Sequence, residues 1–242
     1  MRKLTFLAVS ILIVTNTFAQ VWFDIGFNGG IGTGFYTNKI FYNDQRFNLV
    51  PNIGNTASFK LGINATDRHS AVIELGYFKR SYGIDQAFVP NMDDFKVFYQ
   101  EINFSGFQGA LLYRNTNEGT FIEIGPMWNS IRNQQITDQV NSSSIPNNFI
   151  NKKSVRGVFG LGSYLFGNER VTLVGGFRVL YDFSDLRDTS PSGISFPFYN
   201  YQDKTLNQSL HAIDFQLNLE LNISLGFLYR ASCGKRSVVF EW

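Results

Sequence analysis

The sequence predicts an all-β chain folded as an eight-stranded antiparallel up-and-down barrel, and three observations carry that prediction. Apolar residues recur with a period of two along most of the chain. The segments between them alternate short and long. The surface is poor in charge, yet the mean hydropathy is close to zero: charged residues make up 17% of the 242 residues, against about 25% in ordinary soluble domains, while mean hydropathy is −0.09.

The last strand shows the period most clearly. Ile213, Phe215, Leu217, Leu219, Leu221, Ile223 and Leu225 alternate with Asp214, Gln216, Asn218, Glu220, Asn222 and Ser224. Successive side chains of a strand point to opposite faces, so one face is apolar and the other polar. A helix, with its period of 3.6, would mix the two sets. Phe23, Ile25, Phe27, Ile31 and Phe35 alternate with Asp24, Asn28 and glycines in the first strand. Phe59, Leu61 and Ile63 alternate with Ser58, Lys60 and Asn64 in the second, and Ala71, Ile73, Leu75 and Tyr77 with Val72, Glu74 and Phe78 in the third. The fourth, Tyr99 to Tyr113, keeps the pattern only with a phase slip near Ser105 and Gly106, read as a β-bulge. Ile122, Ile124 and Trp128 mark the fifth strand, Val155, Phe159, Leu161 and Leu165 the sixth, and Val171, Leu173, Phe177, Val179 and Tyr181 the seventh.

Three connections are short and polar: Thr66 to His69, Asn115 to Gly119, and Gly167 to Arg170. The other four, roughly Tyr36 to Asn55, Ile84 to Phe98, Asn133 to Lys153 and Leu186 to Ser209, are long and rich in Asn, Asp, Gln and Ser. Tight turns at one end and long loops at the other are the signature of a transmembrane barrel. Such a barrel pairs every backbone polar group internally, as a bilayer demands. Polar lumen residues then bring the mean hydropathy to zero although the outer face is greasy.

Residues 1–19 read as a secretory signal peptide. Arg2 and Lys3 precede the apolar run Leu4 to Val14, and Ala19 stands at the expected cleavage point. The barrel is expected over residues 20–230. Residues 231–242 are read as a periplasmic tail or a barrel-closing segment, because Phe240 and Trp242 compete with Phe227 and Tyr229 as the closing aromatic; ten strands are the alternative count.

Eight strands enclose a lumen just wide enough for side chains. The polar network expected there comprises Asp24, Lys60, Glu74, Arg80, Glu101, Glu123, Arg156, Arg178, Asp182, Asp214 and Glu220. Opposite charges in so narrow a space should pair into a packed core with no open pore. Trp22, Phe35, Trp128, Tyr181, Phe227 and Tyr229 are placed as interfacial girdles.

The ending Phe18-Ala19-Gln20, the opening Phe23-Asp24-Ile25-Gly26-Phe27-Asn28-Gly29-Gly30 and the closing Leu221-Asn222-Ile223-Ser224-Leu225-Gly226-Phe227 resemble small outer-membrane β-barrel proteins of Bacteroidota-type bacteria, a PorT-like group with an OmpA/OmpX-type barrel. The resemblance implies a bacterial outer-membrane location and insertion by the barrel assembly machinery. It also implies contact with outer-membrane lipid and lipopolysaccharide, and loops available to protein partners.

The residues give little support to chemistry. One Cys excludes a disulfide scaffold and a Cys-based zinc site, and a net charge of +2 gives no electrostatic case for nucleic acid. Of the two histidines, His69 falls in a turn, and His211 lies three residues from Asp214, on the opposite strand face. The run Gly26 to Gly34 lacks the following helix of a dinucleotide fingerprint. Asp93-Asp94 and Asp182, Asp185 and Asp188 lack EF-hand spacing. Cys233 is read as a passive thiol. No catalytic residue, cofactor or metal is expected. The sequence is read as a structural or interaction protein, with a narrow porin-like channel as the alternative.

Overall fold

In a computed structural model the described residues are 21–37, 47–88, 96–138, 150–168, 170–187, 209–227, 230–232 and 235–237. Residues 1–19, expected to be a signal peptide, and Asp93-Asp94, Asp188, Tyr229, Cys233, Phe240 and Trp242 lie outside them.

Eight antiparallel strands close into one ring in sequence order. They are β1 Trp22–Thr37, β2 Phe47–Asn64, β3 His69–Phe88, β4 Lys96–Asn117, β5 Thr120–Asp138, β6 Lys153–Gly167, β7 Val171–Asp182 and β8 His211–Phe227. β1 pairs with β8 from Trp22↔Phe227 to Thr37↔His211, so the wall has no free edge. Two further short strands, β9 (Arg230–Ser232) and β10 (Lys235–Ser237), pair only with each other. The wall therefore holds eight strands, and the ten-strand alternative is set aside.

The alternation read from sequence is the alternation observed. Phe27, Phe59, Leu75, Ile122, Phe159, Phe177, Leu217, Leu219 and Leu221 are exposed on the outer face, while Asn28, Lys60, Glu74, Glu123, Arg178 and Glu220 are buried inside. From Ile213 to Leu225 is twelve residue steps. At about 3.3 Å per residue and a tilt near 40° this row rises on the order of 30 Å, the depth of a bilayer's hydrocarbon.

The turns explain themselves. Glu118 (φ 48°) and Gly119 (φ 81°) are both left-handed, the requirement of a two-residue I′ turn. The expected five-residue connection is thus shorter, because β4 runs on to Asn117. Thr66 Oγ1 accepts the amide hydrogens of Arg68 and His69 at 3.2 and 3.1 Å. Asn168 Oδ1 accepts those of Arg170 and Val171, both at 2.9 Å. Both are side-chain-closed polar turns.

Three expectations need correction. The long connections begin later than predicted: β3 and β4 have 20 and 22 residues, well beyond the 9–11 that span a bilayer. Residues 47–55 and 133–138, expected to be connection for their polar composition, are wall. The phase slip in β4 does not occur. Gln100, Ile102, Phe104, Gly106, Gln108, Ala110, Leu112 and Arg114 all face inward in unbroken alternation. The register shift at Ser105/Gly106 is real, but the extra residue is Arg132 of β5. Ile102 and Phe104, apolar yet inward, are what breaks the period in the sequence. Finally, Glu101 is not in the lumen. It lies opposite Gly83 on the outward face, half-buried, and accepts a hydrogen bond from Ser81 Oγ at 2.8 Å.

Candidate functional site

Among the described residues the interior is where charged side chains converge, and the strand pattern dictates why. β1 supplies a row of inward glycines opposite inward polar residues of β8: Gly26↔Asn222, Gly30↔Asn218, Gly32↔Gln216 and Gly34↔Asp214. A Cβ at Gly34 would collide with the Asp214 carboxylate, and one at Gly26 with the Asn222 amide. The glycine row therefore leaves the room in which β8 side chains lean across the lumen. Close approach of neighbours is the role of these glycines.

The lower ionic layer lies nearer the short turns. Lys60 binds Glu220 and donates to Asn222 Oδ1 at 3.2 Å. Arg114 spans two carboxylates, reaching Glu220 Oε2 at 2.8 Å and Glu123 Oε2 at 2.9 Å. Arg178 likewise spans Glu123 and Glu74, donating to Glu74 Oε1 at 2.6 Å and Oε2 at 2.9 Å. The chain Lys60–Glu220–Arg114–Glu123–Arg178–Glu74 thus crosses the lumen as an alternating series, its Arg forks matching carboxylates in bidentate fashion. The Arg114 guanidinium also stacks 4.0 Å from the Phe121 ring.

The upper layer centres on Arg156, which is 0% exposed. It pairs with Asp182, its cross-strand partner, and with Asp214. Asp214 also meets Arg80 Nε at 3.1 Å and accepts the Tyr82 hydroxyl at 2.6 Å. Among the buried described residues five cations (Lys60, Arg80, Arg114, Arg156, Arg178) face five carboxylates (Glu74, Glu123, Asp182, Asp214, Glu220). The interior is internally neutral. Asp24, the remaining predicted member, sits at the lower mouth, where it accepts from Asn64 Nδ2 at 2.6 Å and lies 3.7 Å from Lys60. Of the predicted lumen residues all but Glu101 are brought together. Arg114 and Tyr82 join them without having been expected there. Arg114 borders a segment read as a turn, and its inward position follows once β4 is carried without a slip.

Above the upper layer the lumen is apolar. Tyr36, Phe78, Tyr82, Ile84, Ile102, Phe104, Ile131, Ile150, Leu186, Leu210 and Ala212 form one buried cluster. Three of these come from outside the strands. Gln134 clamps the Ile150 backbone, donating to its carbonyl at 2.7 Å and accepting from its amide at 3.1 Å. Asn151 N donates to Leu186 O, and Leu186 N to Leu210 O, both at 2.8 Å. Segments read as polar loops thus turn inward at their roots and stopper the barrel. The packed polar core of the sequence reading is present, but under an apolar plug. At the opposite end lies a cavity of about 160 Å³ whose lining includes Trp22, Asp24, Asn64, Arg68, Tyr164 and Arg170.

Neither histidine joins this interior. His69 Nδ1 lies 2.6 Å from Tyr113 Oη. His211 Nδ1 is 3.0 Å from the Asp182 carbonyl oxygen and its ring stacks on Tyr181, while Asp214 faces the lumen. Among the described residues no group of three or more His, Cys, Asp or Glu side chains is placed to hold a metal. Outside the strands, Asp185 accepts from the Arg187 side chain at 3.1 Å and from the Leu210 amide at 3.0 Å. Burial pushes its carboxyl upward, but these hydrogen bonds prevail and hold it below the usual range.

No protein-family model matches the chain, and no curated protein matches it. Among solved structures it is similar to Neisserial surface protein A (8% identity, TM-score 0.42, covering 83% of this chain and 96% of that one). It is also similar to the outer membrane protein OprG from Pseudomonas aeruginosa (8%, TM-score 0.42, 85% and 96%). A third is Ail, the attachment invasion locus protein of Yersinia pestis (8%, TM-score 0.38, 84% and 99%).

Proposed function

We propose that the chain is an integral bacterial outer-membrane protein that anchors and displays its long connections, with no catalytic role and no open channel. The observation that carries this reading is the pairing of a closed, lipid-matched exterior with an interior filled from both directions. Exposed apolar rows circle the ring, and a sheet without edges is what a bilayer accepts. Inside, five buried cations are matched by five buried carboxylates beneath an apolar stopper. A solute path would have to break both. The rigid cylinder then serves as a mount, and recognition falls to the connections it carries. The finer assignment, to the PorT-like barrels of Bacteroidota-type bacteria, rests on the opening and closing strand sequences and belongs to the same proposal. So do export by residues 1–19 and insertion by the barrel assembly machinery.

Planar-bilayer recording of the refolded, full-length protein tests the reading. Insertion, followed by heat-modifiable migration and protection of the strands from protease, is expected without steady conductance. A stable unitary conductance would overturn the closed interior in favour of a narrow channel. A protein that stays dissolved without detergent would overturn the membrane assignment itself.

A further inference from the structure

We propose that the outer wall of β3–β6 carries a binding surface for the phosphates of a lipid headgroup, formed by Lys79, Arg132 and Lys153. The inference rests on the membrane-spanning reading and deepens it, naming which lipid chemistry the exterior recognises and where.

The three cations share one height. Lys79 on β3 is the cross-strand partner of Ser105 on β4, and Ser105 pairs with Asn133 on β5. Arg132 is the extra residue between Asn133 and Ile131. The neighbouring Ser130 pairs with Lys153 of β6. With strands about 4.8 Å apart, Lys79 and Arg132 flank β4 at roughly 10 Å, and Lys153 stands one strand beyond. All three are exposed. Lys79 and Lys153 fall on the outward side by alternation, and the bulge turns Arg132 out with them. Between Lys79 and Arg132 stands only the small Ser105. None of the three makes an ion pair with a described residue.

The arc sits at a boundary marked independently on both sides. Directly below it are the exposed rings of Tyr77, Phe107 and Trp128, with Tyr77 and Phe107 edge to face at 6.1 Å. That is an interfacial girdle. Above it on the same outward face the wall turns polar. Asn52 Nδ2 donates to Ser81 Oγ at 3.1 Å and to Tyr99 Oη at 2.7 Å, and Ser81 donates to Glu101. Such a hydrogen-bonded cluster belongs in water. The lipid therefore ends at Lys79, where headgroup phosphates lie. Glu101, the nearest outward carboxylate on β4, is four residues further from the belt than Ser105. Three cations without an ion pair to any described residue stand over an aromatic shelf with no described carboxylate between them, and present a surface for a multiply phosphorylated headgroup whose acyl chains run down the belt. The arc lies at the end carrying the long connections, which the topology assigns to the outer leaflet.

Native mass spectrometry of the full-length protein, released from detergent with added lipid A, tests the assignment. Dephosphorylated lipid A is the first comparison and inorganic phosphate the competitor. Each cation near a charged lipid surface contributes roughly fivefold, so Lys79→Gln/Arg132→Gln/Lys153→Gln should retain bisphosphorylated lipid A on the order of a hundredfold less well at low salt. Arg68→Gln/Arg170→Gln, which removes cations from the short-turn end, should leave retention unchanged. Equal retention by the parent and the triple variant overturns the proposal. So does equal retention of the dephosphorylated lipid, or displacement of lipid A by equimolar inorganic phosphate. Heat-modifiable migration and vesicle insertion of every variant separate the two readings: a parent chain that never inserts sinks both, whereas an inserted chain indifferent to the three substitutions sinks the arc alone.

Discussion

Removing Arg156 should destabilise the barrel more than removing any other lumen cation, and the reason is the number of partners left behind. Arg156 and Asp182 are both 0% exposed. Asp182 has no described cation but Arg156 within pairing distance, and its second carboxylate oxygen has no hydrogen-bond partner. Asp214, by contrast, keeps Arg80 at 3.1 Å and the Tyr82 hydroxyl at 2.6 Å. Arg156→Met therefore strands one buried carboxylate fully. Breaking a buried pair from one side costs about 3–5 kcal/mol, because the remaining charge loses its partner and cannot regain water. Arg156→Met/Asp182→Leu removes both members of that pair and should recover most of the loss, to within about 1–2 kcal/mol of the parent. The assay is equilibrium urea unfolding of the protein in lipid vesicles, followed by Trp fluorescence. A single variant costing less than about 1 kcal/mol, or a double variant no better than the single, would refute the claim that pair-wise charge compensation holds the interior together.

Arg114→Met offers the contrast: Glu123 keeps Arg178 and Glu220 keeps Lys60, so the same assay should show a smaller loss, about 1–3 kcal/mol. Glu118 occupies a left-handed turn position at φ 48°, and Glu118→Asn or Glu118→Gly should stabilise by about 0.5–1 kcal/mol in that assay. Asp185 is held below its ordinary carboxyl range by Arg187 and the Leu210 amide, against the upward push of burial. A depressed folded-state value means that its contribution is complete above the unfolded-state value and is lost as pH falls through the folded one. Protection of the Leu210 amide from hydrogen exchange, taken relative to its intrinsic rate at each pH, should therefore fall on acidification, and Asp185→Asn should remove that dependence. Leu219 lies midway along the Ile213 to Leu225 row, so Leu219→Arg should cost about 2–4 kcal/mol in bilayers, while Leu225→Arg, at the row's end, should cost about 1 kcal/mol or less; equal costs at the two positions would contradict the depth assigned to the row.

How much of this was legible in the sequence follows from what each residue's neighbours are. The lipid face and the lower ionic layer depend only on parity along a strand, and parity survives any error in strand ends. Lys60, Glu74, Glu123, Arg178 and Glu220 were therefore placed correctly from alternation alone. Glu101 was misplaced because charge was taken as a sign of the lumen, whereas above the lipid boundary the outward face is wet and tolerates a carboxylate beside Ser81 and Tyr99. Ile102 and Phe104 were misread for the complementary reason. Beyond the boundary the rule that apolar residues point outward fails, and inward apolar residues pack under Ile150, Leu186 and Leu210. The stopper itself was illegible, since single apolar residues in Asn- and Ser-rich connections carry no period. Arg132 as the bulge residue was likewise hidden, because an extra residue in one strand shows up in sequence only through its partner's pairing.

One physical cause underlies both exceptions to the alternation, and it bears on function. A barrel matched only to the membrane would end its strands at the headgroups, and alternation would mean one thing throughout. Here β2 to β5 continue past the level of Lys79, and the meaning of each face inverts there: outward positions become polar and inward positions become greasy. The inversion leaves the upper wall supported from inside by apolar packing. The plug is thus the core of an extension standing clear of the bilayer. Its roots are tied in series: Gln134 holds Ile150, Asn151 N donates to Leu186 O, and Leu186 N donates to Leu210 O. A mount built this way holds the bases of two of the connections at fixed positions, above the lipid phosphates in the proposed membrane placement, which favours recognition by display over conduction. A pore would need that inner support removed.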